Sequence, residues 1–108
     1  MHLTLRQLSV FAAVARHRSY TRAAEELHLS QPAVSMQIRQ LEETVGLPLF
    51  EKLGKKIHLT EAGAEVFHYS QAIGQNLREL DEVIEALKGV KGGRLRISVC
   101  LLYTSPSP

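Results

Sequence analysis

The sequence predicts a mainly α-helical fold, a winged helix-turn-helix followed by one long dimerisation (linker) helix, and three stretches predict it. Ser30 to Gly46 has the start, period and stop of an amphipathic helix, and a shorter helical stretch precedes it across a tight turn. Leu49 to Thr60 holds two short strand-like runs around a glycine and a lysine pair. From Thr60 to Lys88, apolar residues recur at the 3.5-residue period of a packed helix seam.

A chain of 108 residues suffices for one small domain with a modest core and an appendage, and a hydrophobic content of 44% fits a globular protein. The net charge of +2 conceals an asymmetry. Residues 1–60 carry eight Lys/Arg against five Asp/Glu, a net of +3; residues 61–88 carry two against six, a net of −4; residues 89–108 carry three and no acid. A basic head on an acidic rod points to a polyanionic partner for the head. The single cysteine, Cys100, excludes a disulfide framework and a cysteine metal cluster. No apolar run has signal-peptide or membrane-span length, so the expected location is the cytoplasm, with no membrane partner.

The elements follow in order. Thr4-Leu5-Arg6-Gln7 has the form of a capping box, and Leu5, Leu8, Phe11, Val14 and Ala15 follow at helical spacing, so a helix is expected from about residue 5 to Arg16. Its end is the basic run Arg16-His17-Arg18, suited to a helix C-terminus. Ser19 or Thr21 can cap the second helix, whose small residues Ala23 and Ala24 permit a close crossing. Leu27-His28-Leu29 is the turn, with His28 as the residue that must tolerate a left-handed backbone.

The third helix begins with Ser30 as N-cap and Pro32 in the first turn, and ends at Gly46. Val34, Ile38, Leu41 and Val45 form its apolar face. The opposite face carries Pro32, Ser35, Met36, Arg39 and Gln40, with no carboxylate before Glu42. Serine, glutamine and arginine can donate to base edges and phosphates, so this face suits a major groove. Leu49 to Lys52 and Ile57 to Thr60 are the expected strands, joined by Leu53-Gly54-Lys55-Lys56 into a lysine-tipped wing. Such a wing can neutralise phosphates or enter a minor groove.

Thr60 and Glu61 open the last helix, which should reach about Lys88, roughly 42 Å at ~1.5 Å per residue. Ile73, Leu77, Leu80, Ile84 and Leu87 form its seam, Val66 extends it backward, and Ser70 interrupts it. A rod this long exceeds the domain available to cover it, so a second copy is the expected partner. The glycines at 89, 92 and 93 then break the helix. The boundaries are therefore 1–60 for the winged helix-turn-helix, 61–88 for the linker helix and 89–93 for a glycine hinge. Residues 94–99 read as the first strand of a truncated second domain, and the Ser/Pro-ending tail 100–108 reads as non-native.

The residues Leu5-Arg6-Gln7-Leu8, Phe11, Ala23-Ala24-Glu25-Glu26-Leu27, Ser30-Gln31-Pro32-Ala33-Val34-Ser35, Leu41-Glu42, Gly46, Leu49-Phe50-Glu51 and Leu59-Thr60-Glu61-Ala62-Gly63 resemble the N-terminal part of LysR-type transcriptional regulators. The resemblance covers residues 1–99. Within that family, Ser35-Met36-Gln37-Ile38 and the helix from Tyr69 to Leu87 are most similar to regulators of carbon-fixation (Rubisco) operons. It implies DNA binding by a dimer at an interrupted inverted repeat, antiparallel pairing of linker helices, and a small-molecule effector sensed only by a C-terminal domain. A tetramer is implied for the full-length protein. The DNA-binding residues expected on this basis are Thr21, Ser30, Gln31, Pro32, Ala33, Ser35, Met36, Arg39, Lys52, Lys55 and Lys56. The family pattern often has arginine where this chain has Lys52, which keeps the charge and loses the two-pronged fork. Met36 stands where many members carry a polar or basic residue, and points to apolar contact with a thymine methyl.

The competing reading is a coiled-coil dimerisation or interaction module that does not bind DNA; steep salt dependence of duplex binding separates the two. No enzyme is expected. The five histidines, at 2, 17, 28, 58 and 68, are scattered, no Ser/His/acid or Cys/His arrangement has catalytic spacing, and no cofactor or metal is implied.

Overall fold

A computed structural model describes residues 2–89. The elements are α1 (Leu5–His17), α2 (Tyr20–Leu27), α3 (Gln31–Val45), β1 (Phe50–Leu53), β2 (Lys56–Leu59) and α4 (Glu61–Lys88). The strands pair antiparallel, Phe50 with Leu59 and Leu53 with Lys56. The expected 94–99 strand, the 100–108 tail and the hinge beyond Gly89 lie outside the described residues.

Every helix starts where a side-chain oxygen takes up a free first-turn amide. Thr4 Oγ1 accepts from Gln7 N at 3.0 Å, and Gln7 Oε1 returns the bond to Thr4 N at 3.2 Å, completing the capping box. Ser19, rather than Thr21, caps α2, accepting from Arg22 N at 3.1 Å. Ser30 caps α3 through Ala33 N at 3.2 Å, and Thr60 caps α4 through Gly63 N at 3.0 Å. Among the described residues, α1, α2, α3 and α4 each end on a left-handed residue: Arg18, His28, Gly46 and Gly89. The first two carry a side chain there, at φ 53° and 59°. α1 runs one residue beyond the expected end, to His17.

Three helix faces and the base of the wing meet in one core. Phe11, Val14, Ala23, Ala24, Val34, Ile38, Leu41 and Leu49 are buried in it. Each large aliphatic side chain removed from water contributes about 1.5–3 kcal/mol. Ala23 and Ala24 keep α2 thin where it crosses its neighbours. The aromatic ring of Phe50 joins the wing to this core, 5.1 Å from the Phe11 ring and 6.2 Å from that of Tyr20. α1 and α2 are also tied by polar contacts. Arg16 grips Glu26 with two bonds of 3.1 and 3.0 Å, and His17 Nε2 stands 2.7 Å from Glu26 Oε1.

The first turns of α4 belong to the head. Ala62, Val66 and Phe67 pack on the core, so Val66, which spacing alone places on the seam of the rod, is taken up within the chain. Ser70 is buried, its Oγ donating to Val66 O at 2.7 Å on its own helix. Further along, Leu80 and Val83 are half exposed and Leu87 is 81% exposed. No helix among the described residues is long and apolar enough to cross a membrane.

Candidate nucleic-acid interface

α3 sorts its residues as its period requires. Val34, Ile38 and Leu41 face inward with no more than 2% exposure. Gln31, Pro32, Met36, Arg39 and Gln40 are exposed, with Ala33, Ser35 and Gln37 partly so. Met36 is 54% exposed, so its thioether stands on the outer face rather than in the core. Gln31 Nε2 donates to Ser35 Oγ at 3.0 Å, a contact one turn apart that orders two polar groups on the same face. The serine hydroxyl proton and the glutamine carbonyl remain available outward. An α-helix fits the major groove, and this one presents donors, an acceptor, a cation and a thioether with no acid in its first eleven residues.

The wing turns in two residues, Gly54-Lys55, between paired Leu53 and Lys56. Gly54 has φ +67° and Lys55 is not in the left-handed region, the pattern of a type II′ hairpin, which needs glycine at its first central position. The strands therefore run 50–53 and 56–59, one residue nearer the tip than spacing alone suggests.

Between the first turns of α2 and α3 and the inner face of the wing lies an open cleft of about 520 Å³. Arg18, Thr21, Gln31, Lys52 and Lys55 line it, with Glu51 the one acid on its walls among the described residues. The fold thus brings together Thr21, Gln31, Lys52 and Lys55, which stand up to 34 residues apart in the chain. Ser30 sits at the same corner, its hydroxyl engaged as the α3 cap. Lys56 is placed differently: its pairing with Leu53 puts it on the hairpin face opposite Lys52 and Ile57. Arg18 is the cleft residue that sequence reasoning missed. The run Arg16-His17-Arg18 reads as a helix end, but the left-handed turn at Arg18 separates it from the Arg16–Glu26 pair and leaves it lining the cleft. Tyr20 is half-buried there, and burial first, then the negative charge of Glu42, pushes its hydroxyl pKa above the ordinary value, so it stays neutral at physiological pH.

Residues 5–64 match the family model described as bacterial regulatory helix-turn-helix protein, lysR family. The chain is 75% identical over 99 residues to the RuBisCO operon transcriptional regulator of Allochromatium vinosum, across 92% of this chain and 33% of that protein. It is 53% identical over 95 residues to the HTH-type transcriptional activator CmpR of Synechocystis sp., across 88% and 31% of the two chains. Among solved structures, it resembles BenM_DBD in complex with catB site 1 DNA, with a TM-score of 0.77 and 29% identity over 82% of this chain and all of that one. It also resembles CbnR_DBD in a DNA complex, with a TM-score of 0.72 and 31% identity over 80% and 99%. The chain spans about a third of the length of the curated relatives it matches.

Proposed function

The chain belongs to the lysR family of bacterial regulatory helix-turn-helix proteins, and on that premise we propose that it reads double-stranded DNA as a dimer, at the two half-sites of an interrupted inverted repeat. The observation that carries this reading is the pairing of an acid-free outer face on α3 with a cationic cleft beside it. In it, α3 enters the major groove with Gln31, Pro32, Ala33, Ser35, Met36 and Arg39 toward the base edges. Ser35 and Gln31 supply directional bonds, and Met36 covers a thymine methyl. Arg18, Thr21, Lys52 and Lys55 meet the flanking phosphates, which set register and supply most of the affinity. Lys56, on the other hairpin face, adds charge without sharing that cleft.

Two heads are held together by α4. Ile73, Leu77, Leu80, Ile84 and Leu87 form the pairing seam, antiparallel in the mate, and the exposure of Leu80 and Leu87 supports it. The relatives named RuBisCO operon regulators support a carbon-fixation operon as the target. Effector response belongs to a sensor domain within the further length of such proteins. A regulator of this kind works in the cytoplasm, at the nucleoid when bound.

Selection of bound duplexes from a random pool tests the reading. The expected result is two half-sites in inverted orientation whose centres lie about one helical turn, or a multiple of it, apart. A pool that emerges without sequence enrichment would leave only the dimerisation module.

A further inference from the structure

We propose that Glu42 is the positioning residue of this interface: its carboxylate holds the wing at a fixed angle to α3 and so fixes where Lys52 and Lys55 meet the DNA backbone. The proposal rests on the DNA-binding reading above. Glu42 lies three residues beyond Arg39 on the same helix and is half-buried. Its Oε2 accepts from the backbone N–H of Leu49 at 2.8 Å and of Phe50 at 3.3 Å, the two residues that open the wing.

The pairing register explains why one of those amides needs it. Thr60 N donates to Leu49 O at 3.0 Å, which makes Phe50 and Leu59 a non-hydrogen-bonded pair. The N–H of Phe50 therefore points away from β2, off the free edge of the hairpin, and Glu42 is the acceptor it meets. Among the described residues, these two bonds are the polar tie between α3 and the wing. The ring contacts of Phe50 with Phe11 and Tyr20 hold the base of the wing but constrain its direction only loosely. Two charge-assisted bonds that one oxygen accepts from consecutive amides constrain it closely. On the opposite side of the same segment, Thr60 Oγ1 donates to Pro48 O at 2.7 Å, so α4 grips it as well.

The test compares the parent with Glu42→Met, which keeps the side-chain length and removes the acceptor, and with Glu42→Gln, which keeps an acceptor oxygen. Each is made with and without Lys52→Ala and Lys55→Ala, and is titrated over a salt series with the duplex the parent selects. Glu42→Met should bind about tenfold more weakly, and its salt slope should be shallower by about two phosphate contacts. Removing the two lysines should then cost little more, whereas in the parent it costs the full wing contribution. Glu42→Gln should return to within about threefold of the parent. Hydrogen exchange at the Leu49 and Phe50 amides should be fast in Glu42→Met and slow in the other two. Should Glu42→Met not fold, Glu42→Asp, too short to reach both amides, takes its place. An unchanged salt slope, or a lysine loss equal in both backgrounds, overturns the proposal. If the parent binds no duplex, the DNA reading fails by itself, and unchanged amide exchange in Glu42→Met would separately sink the clamp.

Discussion

At the scale of single residues, two kinds of position matter: those whose backbone is costly and those whose side chain stands out on the outer face of α3. His28 closes α2 with φ 59°, a conformation that costs an L-residue roughly 1–2 kcal/mol and glycine little. Its side chain is exposed, so His28→Gly loses few contacts. The variant should be more stable by about 0.5–1 kcal/mol in urea unfolding at an unchanged m-value, and a lowered midpoint would show that the imidazole holds something here. Arg39 and Met36 are the second kind. If Arg39 contacts phosphate, Arg39→Ala weakens binding to all sequences alike. If it reads a guanine, the variant costs ~1–3 kcal/mol and relaxes one base position in a repeated selection. A variant with parental affinity and parental sequence preference would remove Arg39 from the interface.

Among elements, the base of the wing and α4 approach closely at Gly63. A Cβ on Gly63 would lie 2.0 Å from the carbonyl oxygen of Leu49, a backbone atom that cannot swing aside. Gly63→Ala must push α4 off the base of the wing and should cost ~1–3 kcal/mol, read as a lower urea midpoint; a parental midpoint would mean the two elements do not approach so closely. Much of this level was legible in the chain. Thr4 with Gln7, Ser30 before Pro32, and Thr60 before Glu61 announce helix starts, because capping is a contact between residues three apart. The inward set Val34, Ile38 and Leu41 follows from period alone. What was not legible depends on which elements cross. The Glu42 bonds to Leu49 and Phe50, the Arg16 and His17 contacts with Glu26, and the place of Arg18 in the cleft join residues that no local pattern connects. Val66 shows the same limit: its spacing matches the rod's seam, yet the core of the head takes it up. The strand ends moved by one residue because turn geometry at Gly54, not hydrophobic alternation, sets the register.

For the whole molecule, the question is what covers the far half of α4. Leu80, Val83 and Leu87 remain largely exposed, and each large aliphatic left in water forgoes about 1.5–3 kcal/mol. Pairing with a second copy would recover that energy and hold two α3 faces in a two-fold arrangement that matches an inverted repeat. Leu77→Glu combined with Leu80→Glu should therefore sediment as a monomer and bind the full repeat much more weakly than the parent, while a double variant that still sediments as a dimer would place the seam elsewhere. Whether the head reads DNA is decided by the binding constant of the parent for its selected duplex across a salt series. A DNA-reading head gives a linear fall of log K with log salt concentration, with a slope of about −0.9 for each phosphate neutralised, so that several contacts from each head lose orders of magnitude between about 50 and 200 mM salt. An affinity that does not change over that range would contradict it.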